Sequence, residues 1–74
     1  MTDLQSRMLE YIEMYDRRMG FPPTRREIGD RFERSTSIVN YNLASLEREG
    51  ALEIARGKAR GIRIRRRVPV EVQA

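Results

Sequence analysis

Residues 24–50 read TRREIGDRFERSTSIVNYNLASLEREG, and this stretch decides the fold. Thr24 followed three places on by Glu27 is a capping box, in which each side chain takes a backbone N–H of the other's residue. Ile28 and Phe32 lie four apart on one face, so a short helix runs over residues 25–32. Gly29 within it lowers helix propensity, and a close helix–helix contact at that position would account for it. Glu33-Arg34-Ser35 is a tight turn. Ser35, Thr36 and Ser37 each qualify as the N-cap of the next helix, and the sequence does not choose among them. Val39, Leu43 and Leu46 follow at spacings of four and three and fall on one narrow stripe. This helix runs to Glu49, and Gly50 ends it. Its far side carries Ser37, Tyr41, Ala44 and Arg48, with Ile38 and Ser45 beside them and Asn40 on the shoulder. Two short helices joined by a three-residue turn, the second with a polar outer face, fit a helix-turn-helix.

Upstream, Thr2 and Gln5 form another capping box. Leu4, Met8, Leu9, Tyr11, Ile12, Tyr15 and Met19 follow in steps of three and four, which predicts a first helix over residues 3–19. Gly20 is its C-terminal cap, and Phe21-Pro22-Pro23 runs extended. Met8, Tyr11, Tyr15 and Met19 are expected in the core or at its edge. Downstream the period changes to two: Leu52-Glu53-Ile54 and Ile62-Arg63-Ile64-Arg65 alternate as strands. Gly57 and Gly61 between them mark a hairpin turn or a bulged one. The fold class is therefore α+β, mostly α: a three-helix winged helix-turn-helix with a C-terminal two-stranded β-hairpin wing. The domain is expected over residues 1–67. Pro69 breaks any strand, and residues 68–74 are expected to be a disordered tail.

The chain has 74 residues, enough for one domain with a small core. It contains no cysteine and no histidine, so it has no disulfide, no thiolate zinc site and no imidazole base. No metal or cofactor is expected, and no small-molecule ligand is evident. Glu10 and Glu13 could pair at a metal, but Arg17 and Arg18 beside them make surface charge pairing the better reading, and the chain is not expected to be an enzyme. No apolar run approaches the roughly 18 residues of a membrane span. The N-terminus lacks a signal-peptide pattern, so a cytoplasmic location is expected. Residues 1–50 hold 8 basic and 9 acidic side chains, whereas residues 51–74 hold 7 basic and 2 acidic. A positive field concentrated in the last third points to a polyanion.

These features combine into one physical scheme. A helix fits the major groove of B-DNA, where small and amide side chains reach base edges. A basic hairpin beside it can follow phosphates or reach the minor groove. Arg56, Lys58, Arg60 and Arg63 supply that charge, and Arg65-Arg66-Arg67 extends it. Thr24, Arg25 and Arg26 open the second helix, where N–H groups suit a phosphate; Arg34 in the turn and Arg48 on the outer face join this phosphate-contacting set. The alternative is a winged-helix module that binds protein, an adaptor or inhibitor of a transcription or repair complex. That would call for an apolar outer face, and Ile38 is the one aliphatic side chain there.

Three segments resemble a known family, the DNA-binding domain of the LexA repressors. They are Gly20-Phe21-Pro22-Pro23-Thr24-Arg25-Arg26-Glu27-Ile28, Leu43-Ala44-Ser45-Leu46-Glu47-Arg48-Glu49-Gly50, and the wing runs Leu52-Glu53-Ile54 and Arg60-Gly61-Ile62-Arg63. The resemblance covers residues 2–65. It implies a repressor of the kind tied to the SOS response, binding double-stranded DNA at an inverted-repeat operator as a symmetric pair. Carried over by position, it implies base reading by Ser35, Ser37, Ile38, Asn40 and Tyr41. The turn is one residue shorter than the family's and holds Glu33-Arg34 where a glycine is usual. The family has acidic side chains where Asn40 and Tyr41 stand, so a different operator is expected. Lys58 is the only lysine and belongs to the wing, so self-cleavage by a C-terminal serine–lysine domain is not expected. With no coiled-coil heptads, a monomer that pairs weakly on DNA is expected.

Overall fold

Each helix begins where a hydroxyl can cap it. In the computed structural model, which describes residues 1–65, α1 spans Asp3–Met19, α2 spans Arg25–Phe32 and α3 spans Thr36–Arg48. Both capping boxes are formed, Thr2 with Gln5 and Thr24 with Glu27. Of the three candidates before α3, Ser35 is the cap: its hydroxyl accepts the Ile38 N–H at 3.3 Å. α1 ends on Gly20 in the left-handed conformation, φ 87°. α3 stops at Arg48, with Glu49 as its cap. The hairpin follows as β1, Leu52–Ile54, and β2, Ile62–Ile64, antiparallel with Leu52 opposite Ile64 and Ile54 opposite Ile62. The expected domain limit at residue 67, Arg66, Arg67 and the expected tail over 68–74 lie outside the described residues.

One core joins all five elements. Met8, Leu9 and Ile12 of α1 meet Ile28 and Phe32 of α2 and Val39, Leu43 and Leu46 of α3. Ala51, Leu52 and Ile62 close the same cluster from the hairpin. A buried Leu or Ile side chain contributes roughly 1.5–3 kcal/mol, so Leu52 and Ile62 anchor the base of the wing in the same core as the helices. The strand period places Glu53 and Arg63, which face one another across the ladder, on the outer side. Arg65 and Arg63 both approach the Glu53 carboxylate there, at 2.6 and 3.8 Å.

The structure corrects three sequence expectations. Met19 is not in the core or at its edge; it is exposed, because α1 runs on past the core cluster, whose last α1 member is Ile12. Glu13 is buried instead of lying on the surface, with Arg17 reaching its carboxylate at 3.2 Å. Gly29 is explained less by a neighbouring helix than by the turn: a Cβ there would stand 2.7 Å from the Arg34 carbonyl oxygen, with Val39 of α3 at 3.6 Å. The absent side chain lets the chain double back tightly enough to seat α3 against α2.

That tight turn has a second cost. Glu33 caps α2 in the left-handed region, φ 57° and ψ 48°, with its N–H donating to the Gly29 carbonyl. A side chain disfavours this conformation by roughly 1–2 kcal/mol, part of which glycine returns as unfolded-state entropy. Glu33→Gly should therefore stabilise the domain by about 0.5–1 kcal/mol. Gly29→Ala should destabilise it. Urea denaturation of the two variants checks both signs.

Candidate nucleic-acid interface

The outer face of α3 is set by what its inner face holds. Val39, Leu43 and Leu46 are buried, and so is Asn42. The Asn42 amide donates to the Ile38 carbonyl at 2.8 Å and accepts from the Gln5 Nε2 of α1 at 2.9 Å. An unpaired amide in this core would cost about 1–3 kcal/mol, so the pair favours one rotation of α3 about its axis. In that rotation Ser37, Ile38, Asn40, Tyr41 and Arg48 are exposed, Tyr41 at 69%. Ala44 and Ser45 are half-buried. Ser35 is exposed too, although its hydroxyl oxygen is committed to the cap. Sequence reasoning placed Gln5 in the α1 cap alone and missed its contact with Asn42. A signal existed: Asn42 sits three after Val39 and four before Leu46, inside the apolar stripe.

The basic residues divide into free and engaged groups. Arg26, Arg34, Arg48, Arg56, Lys58 and Arg63 are exposed, and Arg25 is half-buried. Arg56 and Lys58 make no ion pair among the described residues, and Arg63 has only its long contact to Glu53. Arg34 donates to the Phe32 carbonyl at 3.1 Å. Thr24 has its hydroxyl in the α2 cap, accepting the Glu27 N–H at 3.1 Å.

Arg60 differs from the other wing cations. Its Nη1 and Nη2 donate to the two Glu27 oxygens at 2.9 and 3.1 Å. Nη1 also donates to the Pro22 carbonyl at 2.9 Å, and the guanidinium lies over the Phe21 ring at 4.6 Å. Such two-pronged pairing combines charge with fixed geometry. The carboxylate it grips is the one that caps α2, since Glu27 Oε1 also accepts the Thr24 N–H at 2.8 Å. The clasp holds Arg60 of the hairpin loop beside the N-terminus of α2, the end at which Arg25 and Arg26 open that helix. No local sequence signal could pair positions 33 apart.

Among the described residues, no three His, Cys, Asp or Glu side chains gather where they could hold a metal ion, and no helix is long and apolar enough to cross a membrane. What the surface offers is a hydrogen-bonding helix face and a set of uncommitted cations.

Compared with known proteins, residues 1–61 match the LexA DNA binding domain. The LexA repressor of Leptospira interrogans is 37% identical over 71 residues, which covers 96% of this chain and 35% of that protein. The LexA repressor of Bordetella petrii is 41% identical over 66 residues, 88% of this chain and 30% of that one. The LexA repressor of Marinobacter nauticus is 40% identical over 65 residues, 86% of this chain and 32% of that one. The chain thus spans about a third of the length of the curated relatives it matches.

The clasp has a pH signature. Hydrogen bonds from Arg60, then from the Thr24 backbone, hold the Glu27 carboxyl at about 2, well below its ordinary 4.5. A lowered carboxyl contributes stability that is fully present above the unfolded value and is lost as pH falls through the folded one. The Glu27 contribution should therefore disappear between about pH 4.5 and about pH 2. Glu27→Gln keeps a capping acceptor but removes the charge, so thermal melts of this variant should show a smaller loss over that window than the parent chain.

Proposed function

Because the chain belongs to the LexA DNA-binding domain family, we propose that it is a sequence-specific regulator that binds double-stranded DNA and represses transcription. The observation that carries this reading is the exposed α3 face, whose Ser37, Asn40 and Tyr41 can hydrogen-bond while the Gln5–Asn42 pair keeps them turned outward. In this reading α3 enters the major groove. Ser35, Ser37, Ile38, Asn40 and Tyr41 read bases: the Asn40 amide suits adenine, which presents a donor and an acceptor side by side, and Ile38 suits a thymine methyl. Thr24, Arg25, Arg26, Arg34 and Arg48 contact phosphate around that helix. Arg56, Lys58 and Arg63 follow phosphate or the minor groove from the wing, and Arg60 serves by holding the wing against α2. The DNA-binding unit is residues 1–67.

A wing held by both core packing and a clasp approaches DNA already ordered, so little conformational freedom is lost on binding. The two kinds of contact carry different information: phosphate contacts set register and affinity, base contacts set sequence. A single copy reads one half-site. Two copies pairing weakly on an inverted repeat bury α3 in successive major grooves about one helical turn, or a multiple, apart.

Selection of bound duplexes from a random pool at near-physiological salt should enrich an inverted repeat. An unrepeated motif would remove the paired mode, and no enrichment would leave the protein-interaction reading in its place. On the selected site Asn40→Ala and Tyr41→Ala should each cost about 1–3 kcal/mol while leaving random-DNA affinity nearly unchanged. Lys58→Ala should weaken both kinds of DNA alike and lower the salt slope by about one. Fluorescence anisotropy titrations over a salt series measure all three.

A further inference from the structure

The groove between α1 and α2 takes no part in the DNA reading. Tyr11, Tyr15 and Phe32 line it, with Tyr11 edge-on to Phe32 at 5.7 Å and 5.9 Å from Tyr15. Its open volume is about 490 Å³, room for two or three apolar side chains. Among the described residues, the exposed large apolar side chains beyond Met1 are Met14, Met19, Phe21, Ile38 and Tyr41. Ile38 and Tyr41 belong to the α3 face, and Phe21 lies under Arg60. Met14 and Met19 have no such assignment, about half of each is exposed, and both line this groove.

The charge around it is one-sided. Arg7, Arg18 and Arg31 line the groove against one carboxylate, Glu10. Arg31 lies over Phe32 at 5.1 Å and over Tyr11 at 5.8 Å, and Arg7 over Phe32 at 5.9 Å. A guanidinium stacked on a ring by its face keeps its N–H edge for an acceptor. Arg18 makes no ion pair among the described residues, and Arg7 has only a 3.9 Å approach to the exposed Asp3.

We propose that this groove docks an acidic amphipathic peptide segment of another protein. Its apolar side chains would sit on Met14, Met19 and the ring floor, and its carboxylates would meet Arg7, Arg18 and Arg31. Charge complementarity selects this occupant. Phosphate alone would leave the methionines uncovered. A second copy fits poorly, because the helix that bears the other exposed apolar patch, α3, has no acidic residue in its first turn and Arg48 in its last. Flexible, polarisable methionines suit a surface that adapts to a helix laid in a groove.

The probe is a short fluorescein-labelled helical peptide with Leu and Phe along one face and Asp and Glu on the other, titrated at physiological salt. Its control carries Lys in place of the acids. The acidic peptide should bind in the micromolar range and shift the backbone NMR signals of Arg7, Met14, Arg18 and Arg31, leaving those of Arg56 and Lys58 in place. Met14→Glu and Arg18→Glu should each weaken it at least about tenfold without altering DNA binding. Equal binding of the Lys control, shifts confined to the wing, or a dimer of the free chain in sedimentation that Met14→Glu dissolves would each overturn the proposal.

Discussion

The Glu27 carboxylate joins the two parts of this structure that hydrophobic burial alone would leave loosely related. It closes the cap of α2 through the Thr24 N–H, and it receives both terminal nitrogens of Arg60 from the wing. The hairpin strands are only three residues each. A two-stranded ribbon of that size is marginal alone in water. The core holds its base through Ala51, Leu52 and Ile62, but the loop beyond Ile54 projects outside the core. Arg60, fastened to Glu27, Pro22 and Phe21, ties that loop to the start of α2. The partly exposed pair owes its effect to this convergence of contacts; a lone surface ion pair is worth little.

A second polar contact acts at the opposite end of α1. Gln5 completes the Thr2 capping box with its Oε1 and binds Asn42 with its Nε2. One amide thus starts α1 and registers α3 against it. Apolar side chains tolerate small rotations of a helix; a buried amide with one acceptor in reach does not. The rotation it enforces is the one that turns Tyr41, Asn40 and Ser37 outward, so the proposed recognition face depends on a bond made on the far side of the helix.

The turn between α2 and α3 shows the compromise this arrangement requires. Two helices brought this close need a three-residue link, which demands a left-handed cap at Glu33 and a missing side chain at Gly29. The strain sits immediately before the proposed reading helix, where a longer turn would change the position of Ser35 and the residues after it. Charge follows the same division of labour. Arg7, Arg17 and Arg31 of α1 and α2 lie over aromatic rings or against carboxylates, whereas Arg56 and Lys58 of the wing are left uncommitted.

Much of this was legible in the order of residues. Capping boxes, the stripes at three and four, the glycine after α1 and the alternation after Gly50 are local rules, and α1 and α2 began where their caps predicted. Which hydroxyl caps α3 was open, because three adjacent candidates satisfy the same rule. The exposed face of α3 was legible as well, since it is the complement of Val39, Leu43 and Leu46. What only the tertiary structure decided were contacts between distant positions. Arg60 has the same chemistry as Arg56 and Arg63, and only the fold sets it against Glu27. Gln5 reads only as the capping partner of Thr2 until α1 meets α3 and its amide finds Asn42, and Met19 reads as core until the helix outruns its neighbour. Local sequence determines an element's start, stop and apolar face, because those depend on nearest-neighbour backbone energetics. Which polar group finds which depends on where separate elements come to rest.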